Sequence, residues 1–150
     1  MDLDLSDDIT LHGRWTFETF AGDDGPLVAR HVQDNLIVTT GKQLALDRAF
    51  GLGGAVALTG MAVGTSSTAA AVGDTAITGA VFKVFDSTPT RSGLTVTAIT
   101  TYGTAEANIA IREVGLLTAS GGVLFNRIVT SAITKDSALS LRVTVQITAA

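Results

Sequence analysis

The sequence predicts a mainly β fold: an antiparallel β-sandwich or barrel-like domain with one short α-helix at about residues 40–50. The first supporting observation is the segment 139–148, in which apolar and polar residues alternate strictly. That period of two places all of its apolar side chains on one face of a sheet. The second is a series of β-branched segments separated by glycine-containing turns, which is typical of sandwiches and barrels. The third is that only one segment has helical spacing.

Length and charge suggest one domain with a distinct leading segment. A chain of 150 residues fits a single domain. Residues 1–24 carry a net charge of −6, whereas the remaining residues carry +2. We therefore divide the chain into an acidic N-terminal arm with the first strand (1–24) and a single β-rich domain (25–150).

The arm has a pattern that suits an interface. Leu3 and Leu5 alternate with Asp2 and Asp4, so an extended arm would present apolar and acidic side chains on opposite sides. Such a strip suits a basic groove on a neighbouring subunit or on a larger shell, and we predict these four residues as interface residues. The first strand follows at Arg14–Phe20.

The single helix has recognisable ends. Thr40 and Gln43 match the capping-box pattern, in which Thr is followed three residues later by Glu or Gln. Leu46 and Phe50 lie four residues apart and therefore share a face. Gly51 stands where a helix commonly ends in the left-handed conformation.

The middle of the chain contains two strongly apolar segments. No charged residue occurs in 49–73, but glycines and a Thr/Ser run interrupt it, so we predict a buried strand and a loop rather than a membrane span. The segment 81–85 has apolar residues at both odd and even positions, so a strand there would have apolar side chains on both faces. Each face should be covered, by the fold itself or by a neighbouring subunit. We therefore predict Val81, Phe82, Val84 and Phe85 as interface residues.

The C-terminal half consists of strands. A β-branched strand is predicted at 93–102. In the next strand the apolar positions change parity between Ile111 and Val114, which predicts a β-bulge or a bend near Glu113. Gly121 and Gly122 predict a hairpin leading to a strand at 123–130. The inward-facing residues of the closing strand are predicted to be Leu139, Leu141, Val143, Val145 and Ile147.

Composition argues against catalysis and against nucleic-acid binding. The chain has no cysteine, and its net charge of −4 is unlike that of a general nucleic-acid binder. No nucleophile elbow or phosphate-binding loop occurs. The only candidate ligands for a two-histidine metal site are His12 and His31, with Asp7, Asp8 and Asp34. We predict no enzymatic activity, no cofactor and no metal centre, and leave open whether a divalent cation binds the acidic N-terminus.

Glu113 has three candidate partners. Arg112, Arg127 and Arg142 all lie on predicted neighbouring strands or beside it. We expect Glu113 to be a structural residue that forms a cross-strand ion pair, which contributes less than about 1 kcal/mol when exposed.

Several short motifs recur in an order that resembles tailed-bacteriophage virion proteins. The matching pieces are Asn35-Leu36-Ile37, Gly41, Leu46-Asp47, Gly51, Ala62-Val63-Gly64-Thr65, Thr68-Ala69-Ala70, Asp74-Thr75, Glu113-Val114-Gly115-Leu116-Leu117, Arg127 and Lys135. Together they extend over about three-quarters of the chain. The chain departs from such proteins at 76–80, where relatives often carry an acidic residue, and any charge pairing there is in doubt.

The resemblance implies a virion structural protein assembled in the host cytoplasm. The first expectation is a capsid cement or decoration protein that binds the major capsid protein as a homo-oligomer, with a trimer as the expected state. The alternative is a tail, baseplate or fibre-associated protein, which differs in copy number. A carbohydrate-binding module is less expected because aromatic residues make up only 5% of the chain. No nucleic acid or membrane is expected as a partner.

Overall fold

The chain forms two five-stranded antiparallel sheets and one α-helix in a computed structural model that describes residues 10–150. The predicted arm interface, Asp2–Leu5, lies outside the described residues. The sheets pack against each other as a β-sandwich, as predicted, and do not close into a barrel. The elements are β1 (Leu11–Ala21), β2 (Leu27–Asp34), β3 (Leu36–Ile37), α1 (Thr39–Phe50), β4 (Gly60–Gly64), β5 (Val81–Val84), β6 (Thr90–Ser92), β7 (Thr95–Tyr102), β8 (Ala110–Leu117), β9 (Asn126–Thr134) and β10 (Leu139–Ala149).

Sheet 1 has the strand order β2-β1-β10-β7-β6, and β1 pairs with β10 along its full length. The alternation predicted for β10 is confirmed, because Arg142 and Gln146 face solvent while their neighbours point inward. The inward-facing residues are fully buried at Leu141, Val143 and Val145 and partly buried at Leu139 and Ile147.

Sheet 2 has the order β3-β9-β8-β4-β5, and its middle strand has an irregular register at the predicted position. The register of β8 against β9 shifts between Ile111 and Glu113. Ile111 and Val114 both lie in the core between the sheets, so the parity changes at this register shift and Glu113 lies on the outer face. The predicted hairpin connects β8 to β9, but regular pairing in β9 begins at Asn126 rather than at residue 123.

Helix α1 confirms the predicted segment but not its predicted cap. The residue before the helix is Val38, which makes no side-chain cap, and the Thr40 hydroxyl instead donates to the carbonyl of Leu124 at 2.6 Å. The capping-box prediction is therefore wrong. Gly51 does end the helix in the left-handed conformation, with φ of 65°, and its N–H donates to the carbonyl of Asp47.

Two apolar clusters lie on the two faces of sheet 2. The larger fills the space between the sheets and includes Trp15, Met61 and Tyr102, all fully buried. The smaller lies on the outer face and consists of Val38, Ala62, Ile77, Leu117 and Leu124. The uncharged segment 49–73 includes β4, which is buried throughout, and then a loop, as predicted. No helix within residues 10–150 is long and apolar enough to cross a membrane.

Candidate functional site

The outer face of sheet 2 is covered by a long irregular segment, residues 65–80, which we name the pinned loop. It connects β4 to β5 without helix or strand of its own. Loops of this length are uncommon in compact domains and usually have a function or lack order. Here Ile77 packs into the outer apolar cluster, and Val72 accepts a hydrogen bond from the N–H of Thr39 at the start of α1. The loop therefore has fixed contacts at both of these points.

A buried carboxylate lies under the pinned loop. Glu113 is fully buried, and its Oε1 accepts backbone N–H bonds from Ser66 at 3.1 Å and Thr78 at 2.7 Å. These two residues lie near opposite ends of the loop, so one carboxylate holds both ends. Its second oxygen accepts a bond from Nε of Arg127 at 2.7 Å. The parity change at the register shift between β8 and β9 places this side chain on the outer face.

Arg127 extends the network into the loop. Its Nη1 donates to Asp74 at 2.7 Å and its Nη2 to the carbonyl of Thr68 at 2.9 Å. A buried guanidinium with several acceptors is well suited to such a fork-like arrangement. Burial alone would lower the pKa of Arg127, but the bonds to Glu113 and Asp74 outweigh it and raise the pKa. The N–H of Ala71 and the Arg127 guanidinium hold the pKa of Asp74 below its usual value.

Two glycines allow the loop to lie flat on the sheet. A Cβ on Gly64 would lie 2.5 Å from the Ile77 side chain and 2.7 Å from Oε1 of Glu113. A Cβ on Gly115 would lie 2.4 Å from the carbonyl oxygen of Asn126. Both distances are shorter than van der Waals contact allows, so a side chain at either glycine would displace its neighbours.

Five motif residues of the resemblance meet at this network. Gly64, Thr68, Asp74, Glu113 and Arg127 come from four separated parts of the sequence and contribute contacts to one buried site. Of the three partners considered for Glu113, the structure selects Arg127, and the pair is buried rather than exposed. Arg142 instead pairs with Glu18 on β1, at 3.1 Å. The network builds a rigid surface, and its polar groups are occupied in holding the loop.

Lys135, the last motif residue, lies outside the network. Its Nζ donates to Oδ1 of Asn108 at 2.8 Å, at the end of β9. Burial lowers the pKa of this amine. The contact fixes the loop before β8, and we assign it a structural role.

A second feature is an exposed apolar surface on α1 and the loop after it, which we name the helix patch. It consists of Leu46, Phe50, Leu52 and Val56, which are 55–74% exposed. The buried side of α1 is formed instead by Gly41 and Leu44. Groups of large exposed apolar side chains commonly mark interaction sites, and these four all lie between residues 46 and 56. The sequence placed Leu46 and Phe50 on one face, but only the structure shows that this face points to solvent.

A depression beside α1 continues the helix patch. It has a volume of about 290 Å³, and Val56 and Val123 line it together with Gln43 and Asp47. Asp47 lies three residues before Phe50, so the depression and Phe50 are on adjacent faces of the helix. Val56 therefore belongs to the helix patch and also lines the depression.

The predicted interface segment 81–85 forms an edge strand, β5. Phe82 packs against the outer cluster, whereas Val81 and Phe85 pack against the core between the sheets. Val84 is 58% exposed. Both faces of the strand are thus partly covered by the fold itself, and the free edge with Val84 is the part that a neighbouring subunit can contact.

The two histidines do not come together. His12 pairs with Thr148 in the β1–β10 ladder, while His31 stacks on Phe17 at 6.1 Å between ring centroids. Residues 12 and 17 of β1 have opposite parity, so the imidazoles lie on opposite faces of sheet 1. Among the residues that the structure describes, no group of three His, Cys, Asp or Glu is arranged to hold a metal ion.

Comparison with known proteins adds no relative. No family model matches the chain, and neither a curated protein nor a solved structure is similar to it. The interpretation of function therefore depends on the helix patch, the pinned loop and the sequence motifs.

Proposed function

We propose that the protein is a structural component of a tailed-bacteriophage virion, and specifically a capsid cement or decoration protein. In this role it forms a homo-oligomer, with a trimer as the expected state, and binds the outer shell formed by the major capsid protein. A tail, baseplate or fibre-associated position is the alternative within the same class.

The observation that carries the proposal is the helix patch. Four large apolar side chains on one helix end and its loop are exposed in the isolated chain, and Phe50 alone is 74% exposed. Burying a Phe or Leu side chain contributes about 1.5–3 kcal/mol. A surface of this kind gains most when a second protein covers it, which suits a component of a larger assembly.

The pinned loop supports the same proposal in a different way. An assembly protein benefits from surfaces that keep their shape, since less conformational entropy is lost when they bind. Glu113 and Arg127 hold residues 65–80 against sheet 2 with buried ionic bonds. Five of the residues that resemble virion proteins, Gly64, Thr68, Asp74, Glu113 and Arg127, contribute to the network that holds this loop.

The proposal is tested by adding the purified chain to particles that lack it. We expect the wild-type chain to saturate a fixed number of sites, and Phe50→Ser to weaken binding or subunit association by about 10–100-fold. Leu94→Ser is the matched control, because Leu94 is 70% exposed on the turn between β6 and β7 and lies outside the patch. The control should bind like the wild type.

Two results would overturn the proposal. One is a wild-type chain that binds no particle. The other is light scattering that shows only a 15.4 kDa monomer, free in solution and in the presence of particles. Equal binding of Phe50→Ser and wild type would remove the helix patch as the contact surface.

A further inference from the structure

Lys135 is a buried lysine whose hydrogen bonds go only to neutral groups in the described chain. It directly follows β9 and is only 2% exposed. Its Nζ donates to Oδ1 of Asn108 at 2.8 Å and to the carbonyl of Asp136 at 3.4 Å. None of the ion pairs within residues 10–150 includes this lysine. A buried charge with only neutral partners is costly, and burial accordingly lowers the pKa of the amine.

The side-chain amide that meets this lysine is held in position. Nδ2 of Asn108 donates to the carbonyl of Thr104 at 3.0 Å, so both ends of the amide form hydrogen bonds. Thr104 is held in turn by Asp23, whose Oδ1 accepts its N–H at 2.8 Å. The lysine and the amide are brought together by adjacent antiparallel strands, since Ala110 at the start of β8 pairs with Thr134 at the end of β9. Their contact is therefore fixed by the fold.

The backbone beside Asn108 has an uncommon conformation. Ala107 has a φ of 50°, and no other non-glycine residue in the described part of the chain has a positive φ. The left-handed region disfavours a residue that carries a Cβ. Strained residues of this kind persist where the surrounding structure holds them, and they cluster at functional sites. Here the strained residue is buried and directly precedes the amide that contacts the lysine.

We propose that Lys135 and Asn108 join in an intramolecular isopeptide bond. The neutral Nζ attacks Cγ of Asn108, so that a new C–N bond forms and the bond between Cγ and Nδ2 breaks. Nδ2 leaves as ammonia and carries away the proton that the lysine ammonium gave up. The products are one amide and one ammonium ion, and no oxidant or other reactant is needed. The inference is independent of the virion proposal.

Proximity and charge both favour this reaction. A C=O bond is about 1.2 Å long, so Cγ of Asn108 lies within about 4 Å of Nζ. Holding the two groups together replaces a bimolecular encounter by an intramolecular step. Desolvation increases the neutral, nucleophilic fraction of the lysine. The bond also removes the buried positive charge, and ammonia can leave because Asn108 is exposed.

A carboxylate on the same loop as Asn108 can transfer the proton. Of the carboxylates whose charge acts on Lys135, that of Glu106 has the largest effect. Glu106 is held by Nζ of Lys83 and by the N–H of Gly103 at 2.7 Å. These two hydrogen bonds keep the pKa of Glu106 below its usual value, so it is ionised and available as a proton acceptor. It can therefore carry the proton from Nζ to the leaving nitrogen.

Mass spectrometry of the purified full chain tests the bond. We expect an intact mass below that of the sequence by one ammonia, about 17 Da. Trypsin should release a branched peptide that joins residues 92–112 to residues 128–142, because it does not cleave after an acylated lysine. Lys135→Arg and Asn108→Ala should both have the full mass of their sequences. Lys42→Arg, at a distant lysine on α1, is the control and should still lose ammonia. Glu106→Gln should lose ammonia about 100-fold more slowly than the wild type.

Two outcomes would overturn the inference. One is a folded wild-type chain that has the full mass of its sequence and gives no branched peptide. The other is an equal loss of ammonia from Lys135→Arg, which would show that an asparagine reacts without the lysine, for example with its own backbone. Equal rates in Glu106→Gln and the wild type would contradict the proton transfer by Glu106.

Discussion

Glu113 and Arg127 are each costly to bury alone and are stable together because both carboxylate oxygens and all three guanidinium nitrogens have hydrogen-bond partners. The carboxylate accepts two backbone N–H bonds besides the arginine, and the arginine reaches Asp74 and a loop carbonyl. Removing one partner of a buried pair is much more harmful than replacing both, because an unpaired charge remains. The network therefore holds the pinned loop in place only when it is complete.

The first prediction concerns this pair. Arg127→Met should lower the free energy of unfolding by about 3–5 kcal/mol, because the buried Glu113 and the partly buried Asp74 both lose the arginine as their partner. The control is Arg142→Met, which breaks a pair with Glu18 in which the arginine is 44% exposed, and it should cost less than about 1 kcal/mol. Chemical denaturation measures both. Similar losses in the two variants would mean that the Arg127 network contributes no more than a surface pair.

The second prediction concerns acid. The pKa of Asp74 is lowered in the folded protein, so its stabilisation is present above the usual carboxylate pKa of about 4 and is lost as the pH falls through the lower folded value. The melting temperature should thus drop below about pH 4, and Asp74→Asn should reduce that drop. Asp34→Asn, which removes only an exposed contact with Arg14 at 3.7 Å, serves as the control. If the melting temperature of Asp74→Asn fell in acid as steeply as that of the wild type, Asp74 would not be the source of this stability.

At the scale of elements, features that depend on local periodicity can be predicted from the sequence. Contacts between elements that are distant in the sequence cannot. The alternation in β10 and the parity change in β8 follow from backbone geometry alone, so both could be predicted. The cap of α1 could not, since Leu124, far away in sequence, captures the Thr40 hydroxyl. The partner of Glu113 could not be chosen either, because residue spacing does not set the register between β8 and β9.

The third prediction tests the register of β10. Val143 is fully buried between the sheets, so Val143→Asp should remove about 1.5–3 kcal/mol of apolar burial and add an unpaired buried charge. Gln146→Asp on the exposed face of the same strand should be nearly neutral. Circular dichroism and solubility compare the two. A soluble Val143→Asp variant with an unchanged melting temperature would contradict this register.

At the scale of the whole molecule, a loop that is held by buried ion pairs occurs together with exposed apolar side chains. The pinned loop is fixed by buried ions, while the helix patch and the free edge of β5 are exposed in a single copy. The sequence predicted the sandwich but not which apolar residues would remain outside, because helical spacing defines a face without saying what it meets. The proposed role in an assembly would explain these exposed surfaces, because a neighbouring protein would cover them.

The most direct test of the proposed function is quantitative mass spectrometry of tailed-phage particles purified from cells that express the chain. A capsid cement protein should be present in a fixed ratio to the major capsid protein, at hundreds of copies per particle. Tens of copies or fewer would contradict the head position and favour the tail or fibre alternative. Absence of the chain from purified particles would contradict a role in the virion altogether.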